Sequence, residues 1–149
     1  MKITLFTSNK ARHNYFANLL SEIADELYVI QECNTIFPGK LRGQYQISDQ
    51  MAKYFEKVNS AQDKFFPYNY IRNLNRNIKL LPLGFGDLNQ SPLKLISDFL
   101  KSDIYIVFGS SWIKGDLLKF LTDKGFSVTE PSEGVGKSSK NNEIRKWNN

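Results

Sequence analysis

Apolar and polar residues along this chain fall into blocks of two periods. Ile3 to Phe6 is a short apolar block ended by Thr7, Ser8 and Asn9, which predicts a strand with Ser8 or Asn9 capping the following helix. Phe16, Leu19, Leu20 and Ile23 then recur at i, i+3, i+4 and i+7, so that helix is expected to pack this face on a core. Leu27 to Ile30 is the second strand. Strand, helix and strand with short connections form a βαβ unit, which implies parallel pairing and a right-handed crossover.

Residues 34–47 carry Pro38, Gly39 and Gly43 without a period and read as a loop that exposes Lys40 and Arg42. Ser48 opens a long amphipathic helix whose stripe is Met51, Tyr54, Phe55, Val58, Gln62 and Phe65, read as core. Phe65, Phe66, Pro67, Tyr68 and Tyr70 form an aromatic knot after it, favoured as a packing plug over an exposed patch. Ile78 to Leu83 is a third strand, and Pro82 marks its far end as an edge or an exit. Ser91-Pro92 then starts a helix with a capping serine, buried through Leu93, Ile96, Phe99 and Leu100.

Ile104 to Phe108 is an uncharged run of β-branched and aromatic residues, as expected of a strand covered on both faces. Gly109 ends it, Ser110 and Ser111 are candidate caps, and Ile113, Leu117, Leu118 and Leu121 recur at helical spacing up to Lys124-Gly125. The fold class is therefore α/β: a parallel sheet of about four strands with helices on both faces. Residues 1–126 form that domain, and 127–149 form a polar tail too poor in large apolar residues to order itself.

The chain has 149 residues, the size of one domain, a net charge of +5 and a pI of about 9.3. The positive charge is scattered, which reads as a mildly basic surface with no specific nucleic-acid partner. Cys33 is the single cysteine, so no internal disulfide forms and a reducing, cytoplasmic setting is expected. The opening apolar run is too short for a signal peptide, and no long apolar span predicts a membrane segment.

In open α/β sheets ligands bind where strands end and helices begin, so the turn from Gly109 to Ile113 is the first candidate site. His13 is the only histidine and follows the first strand with Asn9 and Arg12. If the first and fourth strands are neighbours, Asn9, Arg12 and His13 share a crevice with Ser110 and Trp112. The bland reading of His13 is a solvated or capping residue. Ser8 and His13 lack a third residue to orient the base and do not make a nucleophile pair. Gly134 to Ser139 ends like a phosphate loop, but Pro131 stands where the first glycine is required. GFGDLN lacks the third glycine of a dinucleotide fingerprint. No metal spacing occurs, and Asp116 and Asp123 read as solvated charges.

FGSSWIKGDLLKFL resembles the fourth strand, turn and helix of the formyltransferase family, and ITLFTSNKARHNYFANLL resembles its first strand and helix. The family includes methionyl-tRNA, glycinamide ribonucleotide and sugar N-formyltransferases. The resemblance covers roughly residues 1–126 and implies the N-terminal half of a Rossmann-like domain. It further implies 10-formyltetrahydrofolate as cofactor, its pterin lying against Phe108, Gly109, Ser110, Ser111, Trp112 and Ile113. Trp112 either stacks on that ring or packs on the core. The implied acceptor is a small amine, an amino sugar among the candidates.

The family's catalytic Asn, His and Asp find no counterpart. After Phe126 the chain continues Ser-Val-Thr-Glu-Pro, and no histidine follows His13. No catalytic residue transfers, so the chain alone is expected to be inactive. A truncated or frame-shifted product and a short non-catalytic relative both fit. The alternative is a folate-binding or protein-interaction module that self-associates through the surface the other half would cover.

Overall fold

The computed structural model describes residues 1–33, 48–66 and 70–125. Its centre is a four-stranded parallel sheet in the order β3-β2-β1-β4. β1 spans Lys2–Ser8, β2 Glu26–Cys33, β3 Ile78–Gly84 and β4 Ile104–Phe108. Leu5 sits opposite Val29 of β2 and Ile106 of β4, so β1 is paired on both sides. Its residues alternate between two cores, as the period of a strand requires. Ile3 and Leu5 meet Leu27, Val29 and helix α1 (Ala11–Ile23). Phe6 meets Ile30, Tyr105 and Val107 on the other face. Leu88, Ile96, Leu100, Leu117 and Leu121 cover that face. They come from a 3₁₀ turn at Asp87–Asn89, α3 (Leu93–Ile96) with the 3₁₀ segment Ser97–Leu100, and α4 (Gly115–Asp123). Leu5 and Phe6 are wholly buried, and such burial contributes about 1.5–3 kcal/mol per side chain.

The α/β class, the four strands and their parallel pairing agree with the sequence reading. β3 is an edge strand with Pro82 opposite Gln31, which its missing N–H permits. The chain leaves β1 toward β2 and β3, then returns to the far side of β1 for β4. The carboxyl ends of β1 and β4 therefore flank the topological switch point.

Several expectations on the helices need correction. Neither Ser8 nor Asn9 caps α1. The N-cap is Lys10, whose side chain does not cap the helix, and Ser8 is engaged by His13. The buried residues of α1 are His13, Asn14, Ala17, Asn18, Leu20 and Ser21, while Leu19 and Ile23 are exposed. Polar groups can be buried there because each finds a partner. Asn18 donates to Tyr70 O at 3.2 Å and accepts from Arg72 N at 2.7 Å. Asn77 donates to the carbonyls of Ser21 and Ala24, both at 2.8 Å, and so closes the end of α1.

Helix α2 (Asp49–Phe65) is capped by Ser48, whose Oγ accepts from Met51 N at 3.3 Å, as expected. Its stripe is not core. Gln62 is the one buried residue, whereas Met51, Tyr54, Phe55 and Phe65 are exposed. Among the described residues the helix lies beside α1, and no broad surface of another element covers its face. Of the described members of the aromatic plug, Phe65 and Tyr70 are exposed, against expectation, and Phe66 packs against Tyr15. Pro67 and Tyr68 lie outside the described residues, as do the 34–47 loop and the tail with its glycine-lysine motif.

Ser91 does not cap α3. Pro92 holds the N-cap position, and Ser91 Oγ donates to Asp87 O instead. Leu93, Ile96, Phe99 and Leu100 are nonetheless buried or half-buried, as expected. Among the described residues no helix is long and apolar enough to cross a membrane.

Candidate functional site

The candidate crevice lies at the carboxyl ends of β1 and β4, which pair in parallel from Ile3–Ile104 to Thr7–Phe108. Thr7 Oγ1 donates to Phe108 O at 2.7 Å and ties the two ends together. The chain then turns at Gly109, whose φ of +72° favours glycine. A Cβ at this glycine would collide with the His13 ring. The sheet thus brings Gly109 and His13 together, as the neighbouring strands required, but it seats the ring beneath the turn.

His13 is 1% exposed, so the solvated or capping reading does not hold. Arg12 Nε donates to its Nε2 at 3.1 Å. A guanidinium only donates, so Nε2 is the acceptor and the neutral ring carries its proton on Nδ1. That proton goes to Ser8 Oγ, 2.5 Å away. Burial first, then the charges of Arg12 and Lys10, push the imidazole down to about 4. Ser8 therefore accepts from His13 rather than surrendering a proton to it. The pair is close, yet its tautomer is wrong for a nucleophile and base. Phe108 meets the His13 ring edge-on at 4.9 Å and Phe16 at 5.0 Å.

Beyond Gly109 the expected serine caps do not form. Lys114 is the N-cap of α4, without a side-chain bond, and the helix starts at Gly115. Ser111 is held instead by Glu32 at the end of β2. Glu32 Oε2 accepts from Ser111 N at 2.5 Å and Oε1 from Ser111 Oγ at 2.8 Å. Glu32 Oε1 also accepts from Gly86 N at 3.0 Å, joining the turn after β3 to the turn after β4. Asn89 completes the brace. It donates to Trp112 O and accepts from Lys114 N, both at 2.7 Å.

Of the expected pterin-side residues, Phe108, Ser110, Ser111 and Ile113 are half-buried and Gly109 is exposed. Trp112 is 60% exposed, which excludes its packing on the core and leaves its ring free to stack. Asn9 and Arg12 are half-buried on the β1 side of the crevice. Sequence reasoning missed Glu32, Asn89 and Thr7. A carboxylate closing an apolar strand was the one available signal for Glu32, since such a charge needs donors.

A separate cavity of about 560 Å³ opens at the opposite rim, beside Asp103, between Leu100, Tyr105 and Phe120, with Lys94, Lys101 and Lys124 at its mouth. Among the described residues no three His, Cys, Asp or Glu side chains gather to hold a metal ion. No family model, curated protein or solved structure matches the chain.

Proposed function

We propose that this chain binds the pterin of a 10-formyltetrahydrofolate at the β4 turn, as the N-terminal part of a formyltransferase-type domain acting on a small amine. The observation that carries this reading is the crevice itself. β1 and β4 are parallel neighbours at the switch point, and the turn between Phe108 and Lys114 is braced by Thr7, Glu32 and Asn89. A flat heterocycle needs fixed backbone donors and acceptors with an apolar wall, and the exposed Trp112 ring supplies the wall. Asn9 and Arg12 line the side on which an amine acceptor would sit. A cytoplasmic location goes with this reading, as does the single, free cysteine.

Catalysis by these residues alone is not part of the proposal. The one histidine is committed to Ser8 and Arg12, and among the described residues of the turn Ser110 Oγ donates to the Ser111 carbonyl and Ser111 Oγ to Glu32, so neither hydroxyl is set to polarise a formyl carbonyl. The test is a titration with 5-formyltetrahydrofolate, a stable analogue, followed by tryptophan fluorescence. Saturable quenching that disappears in Trp112→Phe and persists in Trp147→Phe is expected. An unchanged signal at millimolar ligand removes the folate reading. Formyl transfer to amine acceptors is expected to be undetectable.

A second reading, a protein-interaction module, is favoured by the exposed face of α2. Every residue from Ser48 to Lys57 is exposed, although Met51, Tyr54 and Phe55 share one side. A second copy fits this face. An antiparallel two-fold pairing centred between Tyr54 and Phe55 sets each Tyr54 by the other copy's Phe55 and each Lys53 by its Glu56. Light scattering should then show a weak dimer that Tyr54→Ser with Phe55→Ser abolishes. A monomer at high protein concentration refutes the pairing.

A further inference from the structure

Glu32 is 1% exposed, and the bonds to both its oxygens come from two separate turns. Oε1 receives Gly86 N and Ser111 Oγ, and Oε2 receives Ser111 N. Backbone N–H groups at turns between strand and helix are the usual cradle for a ligand's phosphate or carboxylate. Here donors of that kind, from the turns after β3 and β4, converge on the protein's own carboxylate. The bonds between Glu32 and Ser111 span the end of β1, because β2 and β4 lie on opposite sides of that strand.

We infer that Glu32 is the resident anion of the crevice, locking the β3 and β4 turns together and committing the β4 turn to an uncharged hydrogen-bonding ligand edge rather than to phosphate or carboxylate. Two effects act together. The donors that would hold an anion are already used, and a fixed negative charge stands behind them. Asn89, which grips Trp112 O and Lys114 N with a neutral amide, adds shape to the turn without restoring positive charge. Lys10 and Arg12 are cationic, but they belong to the β1 corner, where both act on the His13 ring and Arg12 Nε donates to its Nε2 at 3.1 Å. The inference deepens the proposed function by naming the ligand class. It depends on that reading only for which turn the ligand touches. A pterin meets the requirement with its uncharged ring edge, its carboxylates being carried on the distant tail.

The test follows the amides of Ser111 and Gly86 by NMR while inorganic phosphate is added to the full chain. In the wild type neither amide is expected to shift saturably, and a saturable shift at Ser111 overturns the inference without recourse to any variant. Glu32→Ala vacates the cradle. Phosphate and acetate should then shift both amides saturably, and acetate should raise the variant's Tm but not the wild type's. A folded Glu32→Ala that binds neither anion overturns the proposal. If Glu32→Ala is unfolded in plain buffer, acetate should restore its fold, and failure to do so counts against the inference. Glu32→Gln keeps the volume but loses an acceptor, so exchange of the Ser111 amide should quicken at least about tenfold, the loss of one charged hydrogen bond. An unchanged exchange rate also counts against it. Loss of 5-formyltetrahydrofolate binding alongside the expected phosphate results removes the folate reading alone.

Discussion

Gly109→Ala tests the coupling between the β4 turn and α1. The backbone at this position has φ +72°, which costs an alanine about 1 kcal/mol or more relative to glycine. The new methyl would also occupy the space of the His13 imidazole. That ring cannot retreat freely, because it is 1% exposed, bonded to Ser8 and Arg12, and set edge-on against Phe108. Displacing it loses a buried hydrogen bond, about 1 kcal/mol, and forces a side chain off its rotamer, about 1 kcal/mol more. The expected total is about 3 kcal/mol. Gly125 provides the control. Its φ is +73°, almost the same, but a Cβ there meets no heavy atom of the described residues within 4 Å. Gly125→Ala should therefore cost only about 1 kcal/mol, the conformational part. Urea unfolding followed by circular dichroism measures both, and the gap of about 2 kcal/mol isolates the collision. His13→Ala in the Gly109→Ala background should recover most of that gap, giving a favourable coupling energy. Equal costs for the two glycine variants would refute the argument that His13 fills the space beneath the turn.

The pH dependence of stability follows from the same ring. His13 titrates near 6.5 when unfolded and at about 4 when folded, so the unfolded chain binds more protons between these values. Its contribution is complete above pH 6.5 and is lost as pH falls toward 4, about 1–2 kcal/mol being gone at pH 5. Urea midpoints across that range should show this slope, and His13→Asn should flatten it. Asn77→Ala removes both bonds to the end of α1 and should cost about 1–3 kcal/mol in the same unfolding assay, with wild-type stability counting against the brace. Leu5→Ala empties a fully buried site of the central strand and should cost about 2–5 kcal/mol. Tyr54→Ser on the exposed side of α2 should change monomer stability by less than about 0.5 kcal/mol, whereas a core position would lose several times that.

The crevice was partly legible before any coordinates. Gly109 ended an apolar strand, and a βαβ pattern implied that its turn opens at the carboxyl edge of a parallel sheet. The residues that hold the turn were not legible. Glu32, Asn89 and Thr7 act on residues distant in sequence, and apart from the charge closing an apolar strand at Glu32 nothing in the local pattern announces that. Serines after a strand suggest caps, yet Ser111 found a buried carboxylate first, and the helix began at Gly115 instead.

What the chain's own pattern determined is the existence and order of its elements, because strand and helix periods are local properties of neighbouring residues. The tertiary structure decided which faces of α1 and α2 are buried. α1 turns Asn14, Asn18 and Ser21 inward and leaves Leu19 and Ile23 outside, since distant segments bond the Asn14 and Asn18 side chains and Ser21 Oγ donates to the Asn18 carbonyl of its own helix. α2 has an apolar stripe as clear as any in the sequence, but a stripe is buried only where another surface meets it. The identity of the site followed the same rule: the sheet order made β1 and β4 neighbours, and only that neighbourhood put His13 under Gly109 and Glu32 against Ser111.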